Sequence, residues 1–358
     1  MRVKSLNISN LRNITSSKID PVPGPNCFIG DNGAGKTSVL EALVVLSKGR
    51  SFRSGQVSSL IGKSTKAFQI VSTIDSQCGH THILGMERGN DSWTARHNGE
   101  DVTQLSELTR LLPYVLLEPS SHTLVSGPPD GRRKFLDWGV FHVKHDFLPL
   151  WRRYNRVLKQ RNAALRQSNT GVIESLEPQF TRLGEQLHAE RALQSDRLGK
   201  LLQEMLPMFN QVLDGVVLNY RKGWAGESLC EAIRVSSQSD RERGLTGPGP
   251  HKADLRLSID GSLAKERLSR GEQKAMTAAM IMAQARLICD SGERPLLLLD
   301  DLSSELDEEH LKNVLNAALQ MDVQIWITGT KMIMAVEACG AEYAVFHVEH
   351  GSVSRVAI

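Results

Sequence analysis

The chain has 358 residues, which at roughly 150 residues per domain corresponds to about two or three compact units and excludes a single small module. Hydrophobic residues make up 40% and charged residues 23%, a globular balance unlike that of a disordered or collagen-like chain. The 43 basic and 40 acidic residues leave a net charge of +3, too small to indicate a partner by itself.

Met1 to Asn10 alternate polar and apolar residues and lack the hydrophobic stretch of a signal peptide, so a cytoplasmic location is expected. The longest apolar runs, such as Leu296 to Leu299, are far shorter than the ~20 residues of a membrane-spanning helix, and no membrane association is expected. Cys27, Cys78, Cys230, Cys289 and Cys339 are scattered and form no Cys-x-x-Cys pair. This argues against a disulfide framework and a zinc site.

Val3 to Ile8 and Asn26 to Ile29 read as strands, and after a glycine-rich turn the spacing predicts a helix from about Gly35 to Lys48. Phe68, Ile70, Val71 and Ile74 begin a series of short β-like pieces over residues 66–100, which suggests an antiparallel meander. Trp151, Tyr154, Leu158 and Leu165, then Leu176, Phe180, Leu183 and Leu187, fall at helical spacing and predict two antiparallel helices. Glycines and prolines cluster between Gly244 and Pro250, and alternation resumes at Leu255, Leu257 and Ile259. The expected organisation is an α/β unit formed by residues 1–120 and 251–358, interrupted by a mainly helical insertion over 121–250. The insertion carries 19 basic and 14 acidic residues, so the positive charge sits there.

Gly30-Asp31-Asn32-Gly33-Ala34-Gly35-Lys36-Thr37 matches the phosphate-binding pattern G-x-x-x-x-G-K-[ST] between a strand and a helix. Its glycines let backbone N–H groups turn toward phosphate oxygens, Lys36 reaches the β and γ phosphates of ATP, and Thr37 ligates Mg2+. Pro295 to Leu299 form an apolar strand ending in Asp300 and Asp301. Asp300 is expected to hold the metal with Thr37, and Asp301 to orient or deprotonate the attacking water, unless the two aspartates merely cap a helix. Leu268-Ser269-Arg270-Gly271-Glu272-Gln273 opens another helix as a capping box. Ser269 and the Gly271 N–H would also suit the γ-phosphate of a nucleotide held by a second subunit.

Together with Ser304-Glu305-Leu306-Asp307, these motifs resemble the ABC-type ATPase head with its signature and D-loop, and the long helical insertion resembles the SMC branch. Over essentially its whole length the chain resembles the RecF family of bacterial recombination mediators. The matching segments are Asn10-Leu11-Arg12-Asn13, Ser51-Phe52-Arg53, Glu118-Pro119, Gly127 to Asp137 and Gly249 to Leu255. Lys252 and Ala253 depart from the family's usual Arg-Asp-Asp. At the place of a transporter's switch histidine the chain has Thr328-Gly329-Thr330.

The resemblance implies an ABC-type, SMC-like P-loop head with an inserted helical arm, and a homodimer that forms on ATP. It also implies binding at single-strand gaps in DNA, slow DNA-stimulated ATP hydrolysis as a reset, and work with RecO and RecR in loading RecA during DNA replication, gap repair and the SOS response. Arg12 either approaches the nucleotide or is a solvated loop arginine. Gln69 is either a Q-loop residue or an ordinary strand residue. Arg152, Arg153, Arg156, Lys159 and Arg161 either bind DNA phosphates or form a solvated helix face. Arg132, Arg133 and Lys134 are read alike, with anchoring of the insertion as a second role. Two other classes share the nucleotide motifs: the ATPase subunit of a transporter and a small-molecule P-loop kinase. The basic insertion and the missing histidine count against the first, and the signature segment against the second.

Overall fold

The computed structural model describes residues 1–53, 55–301, 308–329, 336, 337, 340 and 342–357. The chain divides into two compact units, Met1–Ser121 with Ala278–Ile358, and His122–Thr277. In the first, β1 (Arg2–Leu11) and β2 (Ile14–Ile19) form a hairpin, and β3 (Pro25–Ile29) leads into α1 (Lys36–Lys48). β4 (Ala67–Asp75), β5 (Thr81–Gly89), β6 (Trp93–His97), β7 (Glu100–Asp101), α2 (Leu105–Leu111) and β8 (Tyr114–Leu117) follow. The second unit holds α3 (Thr123–Ser126), α4 (Pro129–Val143), α5 (Phe147–Arg166), α6 (Thr170–Phe209), β9 (Val217–Arg221), α7 (Leu229–Arg243), β10 (Asp254–Ile259), β11 (Ser262–Leu263) and α8 (Ala264–Arg267). The boundary back to the first unit falls inside α9 (Arg270–Asp290), after which come β12 (Leu296–Leu299), α10 (Glu308–Gln320), β13 (Ile325–Gly329), β14 (Ala344–Glu349) and β15 (Ser352–Val356).

Two sheets make up the first unit. One is antiparallel, in the order β2-β1-β4-β5-β6-β7. The other runs β15-β14-β3-β13-β12-β8 and is parallel except for the β14–β15 hairpin. All four leucines of β12 are buried because β13 and β8 flank it and both faces are covered. Phe28 stacks on Trp326 at 5.4 Å and on Phe346 at 5.0 Å, joining β3, β13 and β14 through one aromatic row. The strand β2 escapes a reading by alternation: its six residues, Ile14-Thr15-Ser16-Ser17-Lys18-Ile19, have isoleucine only at the two ends, and Ser17 faces inward between them.

The second unit packs α4 to α7 around Val140, Phe147, Tyr154, Phe180, Leu183, Leu187 and Leu229. The two expected helices are α5 and α6. The latter extends over 40 residues, far past Leu187, and Asn169 caps it by accepting a hydrogen bond from the Val172 N–H. The return boundary lies at Thr277 rather than 250. The reason is that β10 pairs antiparallel with β9, Leu255 opposite Tyr220, so the strand expected in the first unit belongs to the second. Arg132 forms a two-pronged ion pair with Asp254, at 2.8 and 3.2 Å, and Arg133 donates to the Ala253 carbonyl. Arg191 grips Asp137 through two bonds of 2.7 and 2.8 Å and donates to the Pro250 carbonyl. The motif arginines and aspartates are therefore internal ties of this unit, and Lys134 alone of the three basic residues is largely exposed, paired with Asp130.

Among the described residues no helix is long and apolar enough to cross a membrane. Cys27 and Cys289 are buried, Cys78 and Cys230 are exposed, and all four are free thiols.

Candidate nucleotide-binding site

The phosphate-binding loop leaves β3 at Gly30 and enters α1 at Lys36. Gly30 has φ 154°, and a Cβ there would collide with the Val348 carbonyl oxygen of β14. Gly35 has φ 119° and lies against the Asn13 side chain. These two positions admit only glycine. Asp31, Asn32 and Gly33 are exposed at the loop tip, while Ala34 and Lys36 are buried. The Lys36 ammonium donates to the carbonyls of Gly30 at 2.6 Å and Asp31 at 2.9 Å, so it lies folded along the loop it is expected to help line.

The order β3-β13-β12 puts one strand between the phosphate loop and the two aspartates. Thr328, on that intervening strand, is nearly fully buried and bridges the gap. Its hydroxyl donates to Asp300 Oδ1 at 2.7 Å and accepts from the Asp301 N–H at 2.9 Å. Thr37 Oγ1 donates to the same Asp300 oxygen at 2.9 Å. Burial pushes the Asp300 carboxyl above the usual carboxylate range, against the lowering effect of the two hydroxyls. Glu118, next to Asp300 across the β8–β12 pairing, is also pushed up by burial and then by the Asp300 charge. The Thr37 hydroxyl and the Asp300 carboxylate form the hard oxygen pair that Mg2+ requires, so these residues fit the ion.

A cleft of about 720 Å³ opens beside these groups, lined by the loop from Asn32 to Ser38, by Arg12, Asn13, Ile14, Arg53 and Ile61, and by Asp301 and Thr328. That volume suits a nucleotide. Asn13 donates to the carbonyls of Gly33 and Ala34 at 3.1 and 2.9 Å, bracing the loop from outside. Arg12 lines the cleft but is no solvated loop residue, since its guanidinium is clamped to buried Glu41 of α1 by bonds of 2.8 and 2.7 Å.

Ser269 and Gly271 lie in the second unit at the start of α9. The capping box is formed: the Ser269 N–H donates to Glu272 Oε2 at 2.7 Å, and the Glu272 N–H donates to Ser269 Oγ at 3.4 Å. Both Ser269 and Gly271 are exposed, and a Cβ on Gly271 would meet nothing within 4 Å. Ser304 to Asp307, read as the D-loop, and Thr330 lie outside the described residues.

Residues 2–354 match the family described as the RecF/RecN/SMC N terminal domain. The chain belongs to the RecF family. The DNA replication and repair protein RecF of Stenotrophomonas maltophilia is 37% identical over 364 residues, covering 99% of this chain and all of the relative. Its namesake from Xanthomonas oryzae pv. oryzae is 39% identical over 361 residues, with 99% and 100% covered. A solved structure of the recombination mediator RecF with ATP superposes with a TM-score of 0.87 at 23% identity, over 99% of this chain and 97% of that one. An Smc head bound to the winged-helix domain of ScpA follows at 0.61 and 14%, covering 100% and 98%. The fold is thus the RecF and SMC type of ABC ATPase head.

One expectation within the RecF frame is corrected by the geometry, and one open alternative is decided by it. Arg161 does not face DNA: its side chain is 1% exposed, paired with Asp240 at 2.9 Å and bonded to Thr246 Oγ1 at 2.7 Å. Gln69 is the ordinary exposed strand residue, on β4 opposite Ser9 and Glu87 and away from the cleft lining. Arg152, Arg153, Arg156 and Lys159 remain exposed on one side of α5.

Proposed function

We propose that this chain is an ATP-dependent DNA-binding mediator of recombinational repair. The observation that carries the reading is the convergence of Lys36, Thr37, Asp301 and Thr328 on one nucleotide-sized cleft, with Asp300 bonded to both hydroxyls, in a RecF-family chain. ATP lies with its phosphates along the loop from Gly30 to Thr37, Lys36 exchanging its two carbonyl bonds for phosphate oxygens. Thr37 and Asp300 would hold Mg2+, which would supply charge neutralisation at the phosphates. Asp301 orients the attacking water. The exposed N-terminus of α9, with Ser269 and Gly271, completes the site of a second copy, so ATP joins two chains. The cationic side of α5 contacts duplex DNA near single-strand gaps. The solved relative is described as belonging to the RecFOR pathway, which supports RecO and RecR as the proposed partners; RecA loading is the proposed outcome. Hydrolysis is slow and DNA-stimulated, because resetting a clamp does not require rapid turnover.

Molar mass in solution, measured without nucleotide, with ADP and with ATP, each with and without a gapped duplex, tests the reading. ATP is expected to double the mass and DNA to sharpen the shift, and Lys36→Ala is expected to abolish both. A mass that never changes while ATP is still hydrolysed would reduce the α9 start to a helix cap and favour a monomeric kinase-like enzyme.

A further inference from the structure

Glu41 is an acidic side chain with no accessible surface, set in a helix where its immediate neighbours Val39, Leu40, Ala42 and Leu43 are buried as well. Burying a carboxylate is costly unless it is fully paired. Here three donors converge on it: Arg12 Nε at 2.8 Å, Arg12 Nη2 at 2.7 Å and the Ser51 hydroxyl. Arg12 Nη1 donates in turn to the Ser59 carbonyl at 2.6 Å. Of the five guanidinium N–H groups, these bonds use three, and Arg12 lines the cleft. The backbone enforces the same placement. Asn10 and Arg12 both have φ 57°, the Arg12 N–H donates to the Leu60 carbonyl at 2.7 Å, and the Gly62 N–H donates to the Asn10 carbonyl at 2.7 Å. On the other branch, the Ser51 hydroxyl accepts from the Arg53 N–H at 2.8 Å, and Arg53 also lines the cleft.

We propose that Glu41 is a positioning residue for nucleotide binding, one buried carboxylate that orients two cations, Arg12 directly and Arg53 through Ser51, toward the phosphates of ATP. An apolar pair of the same volume would fill the space with less desolvation, so the distinctive output of the ion pair is a guanidinium held in one orientation. A pre-oriented guanidinium loses little freedom when it meets phosphate oxygens. The proposal rests on the nucleotide reading above and adds to it a residue that never touches the nucleotide.

Equilibrium titration with ATP and Mg2+, on the full chain, tests it in Glu41→Gln, Arg12→Ala and the double variant. Thermal unfolding without nucleotide reports stability separately. Each single substitution is expected to weaken ATP binding about tenfold, the order of one charge-assisted hydrogen bond. The double variant is expected to bind within about twofold of the weaker single, since both substitutions remove one interaction. Wild-type affinity in Glu41→Gln, or losses that multiply in the double variant, would overturn the proposal. Should Glu41→Gln fail to fold, Ser51→Ala, which spares the ion pair, is expected to weaken ATP severalfold in the wild-type background and not in Arg53→Ala; equal losses in both overturn it. Absence of ATP binding by the wild-type chain would instead remove the nucleotide reading itself.

Discussion

Asp301 adopts φ 48°, a left-handed conformation that costs a non-glycine residue about 1 kcal/mol or more. In return its N–H is aimed at the Thr328 hydroxyl, which holds Asp300 on its other side, so backbone strain and side-chain bonds place the two adjacent carboxylates differently. Asparagine tolerates this conformation better than most residues. Asp301→Asn is therefore expected to leave the thermal midpoint within about 1 °C, a stability change of under about 1 kcal/mol. It should lower ATP turnover about a hundredfold or more and let the ATP-bound dimer accumulate; turnover and molar mass measured on one preparation check all three. Lys36, Thr37, Asp300 and Asp301 could be read from the sequence because local spacing defines their motifs. The sequence places Thr328 at the switch-histidine position and Asn13 in a family segment, but their bonds, and Glu41 altogether, could not be read, because these partnerships depend on strand order: β13 inserts between two motif strands, and the turn after β1 wraps the phosphate loop.

The helix α5 shows how one periodicity carries two meanings. Its buried positions include Tyr154, Val157, Arg161, Ala164 and Leu165, a stripe at steps of three and four on which Arg161 falls. Continuing the apolar spacing from Tyr154 through position 161 would have separated this arginine from its exposed neighbours. Asp240, 79 residues away on α7, is its nearest counter-charge at 2.9 Å, with Glu177 of α6 at 3.6 Å. The two kinds of arginine make opposite predictions. Arg161→Ala leaves Asp240 buried without its ion-pair partner and is expected to cost about 3–5 kcal/mol of stability, with DNA affinity and its salt dependence unchanged wherever the protein is folded. Arg156→Ala is expected to leave stability nearly unchanged and to reduce the slope of log K against log salt by about 0.9. Denaturant unfolding and salt-dependent DNA titration separate the cases.

The segment from Gly249 to Ala253 adds a pH dependence to the same unit. His251 Nε2 donates to the Thr246 carbonyl at 3.0 Å, which leaves Nδ1 to accept from the Tyr154 hydroxyl at 2.7 Å. Burial pulls this imidazole from 6.5 down to about 4. The unfolded chain therefore takes up a proton that the folded one refuses. The stability contributed is complete above pH 6.5 and is lost as pH falls toward 4. Urea midpoints at closely spaced pH values should fall across that window in the wild type and fall less in His251→Gln; parallel curves would assign the acid sensitivity elsewhere.

Across the whole molecule, the α/β head plan was legible, and the chain divides into units after Ser121 and again after Thr277. The return boundary was not legible. A cluster of glycine and proline ordinarily marks a linker, yet here it is tied down: the Gly249 N–H donates to the Gly223 carbonyl, and the Pro250 carbonyl receives Arg191. Local composition reports a bend in the chain, whereas unit membership follows from the antiparallel pairing of β10 with β9.

The divided first unit also sets an order for events at the ribosome. The phosphate-loop strand β3 finds both its neighbours, β13 and β14, some 300 residues further along the chain, while His122–Thr277 is continuous and made before either of them. At about 5–20 residues per second of synthesis, the roughly 300 residues separating β3 from β13 keep its buried face, with Phe28, waiting for about 15–60 seconds. Throughout that interval the nascent chain carries an intact phosphate-loop sequence without the sheet that shapes it. The phosphate loop thus acquires its flanking strands only once β13 and β14 have been made.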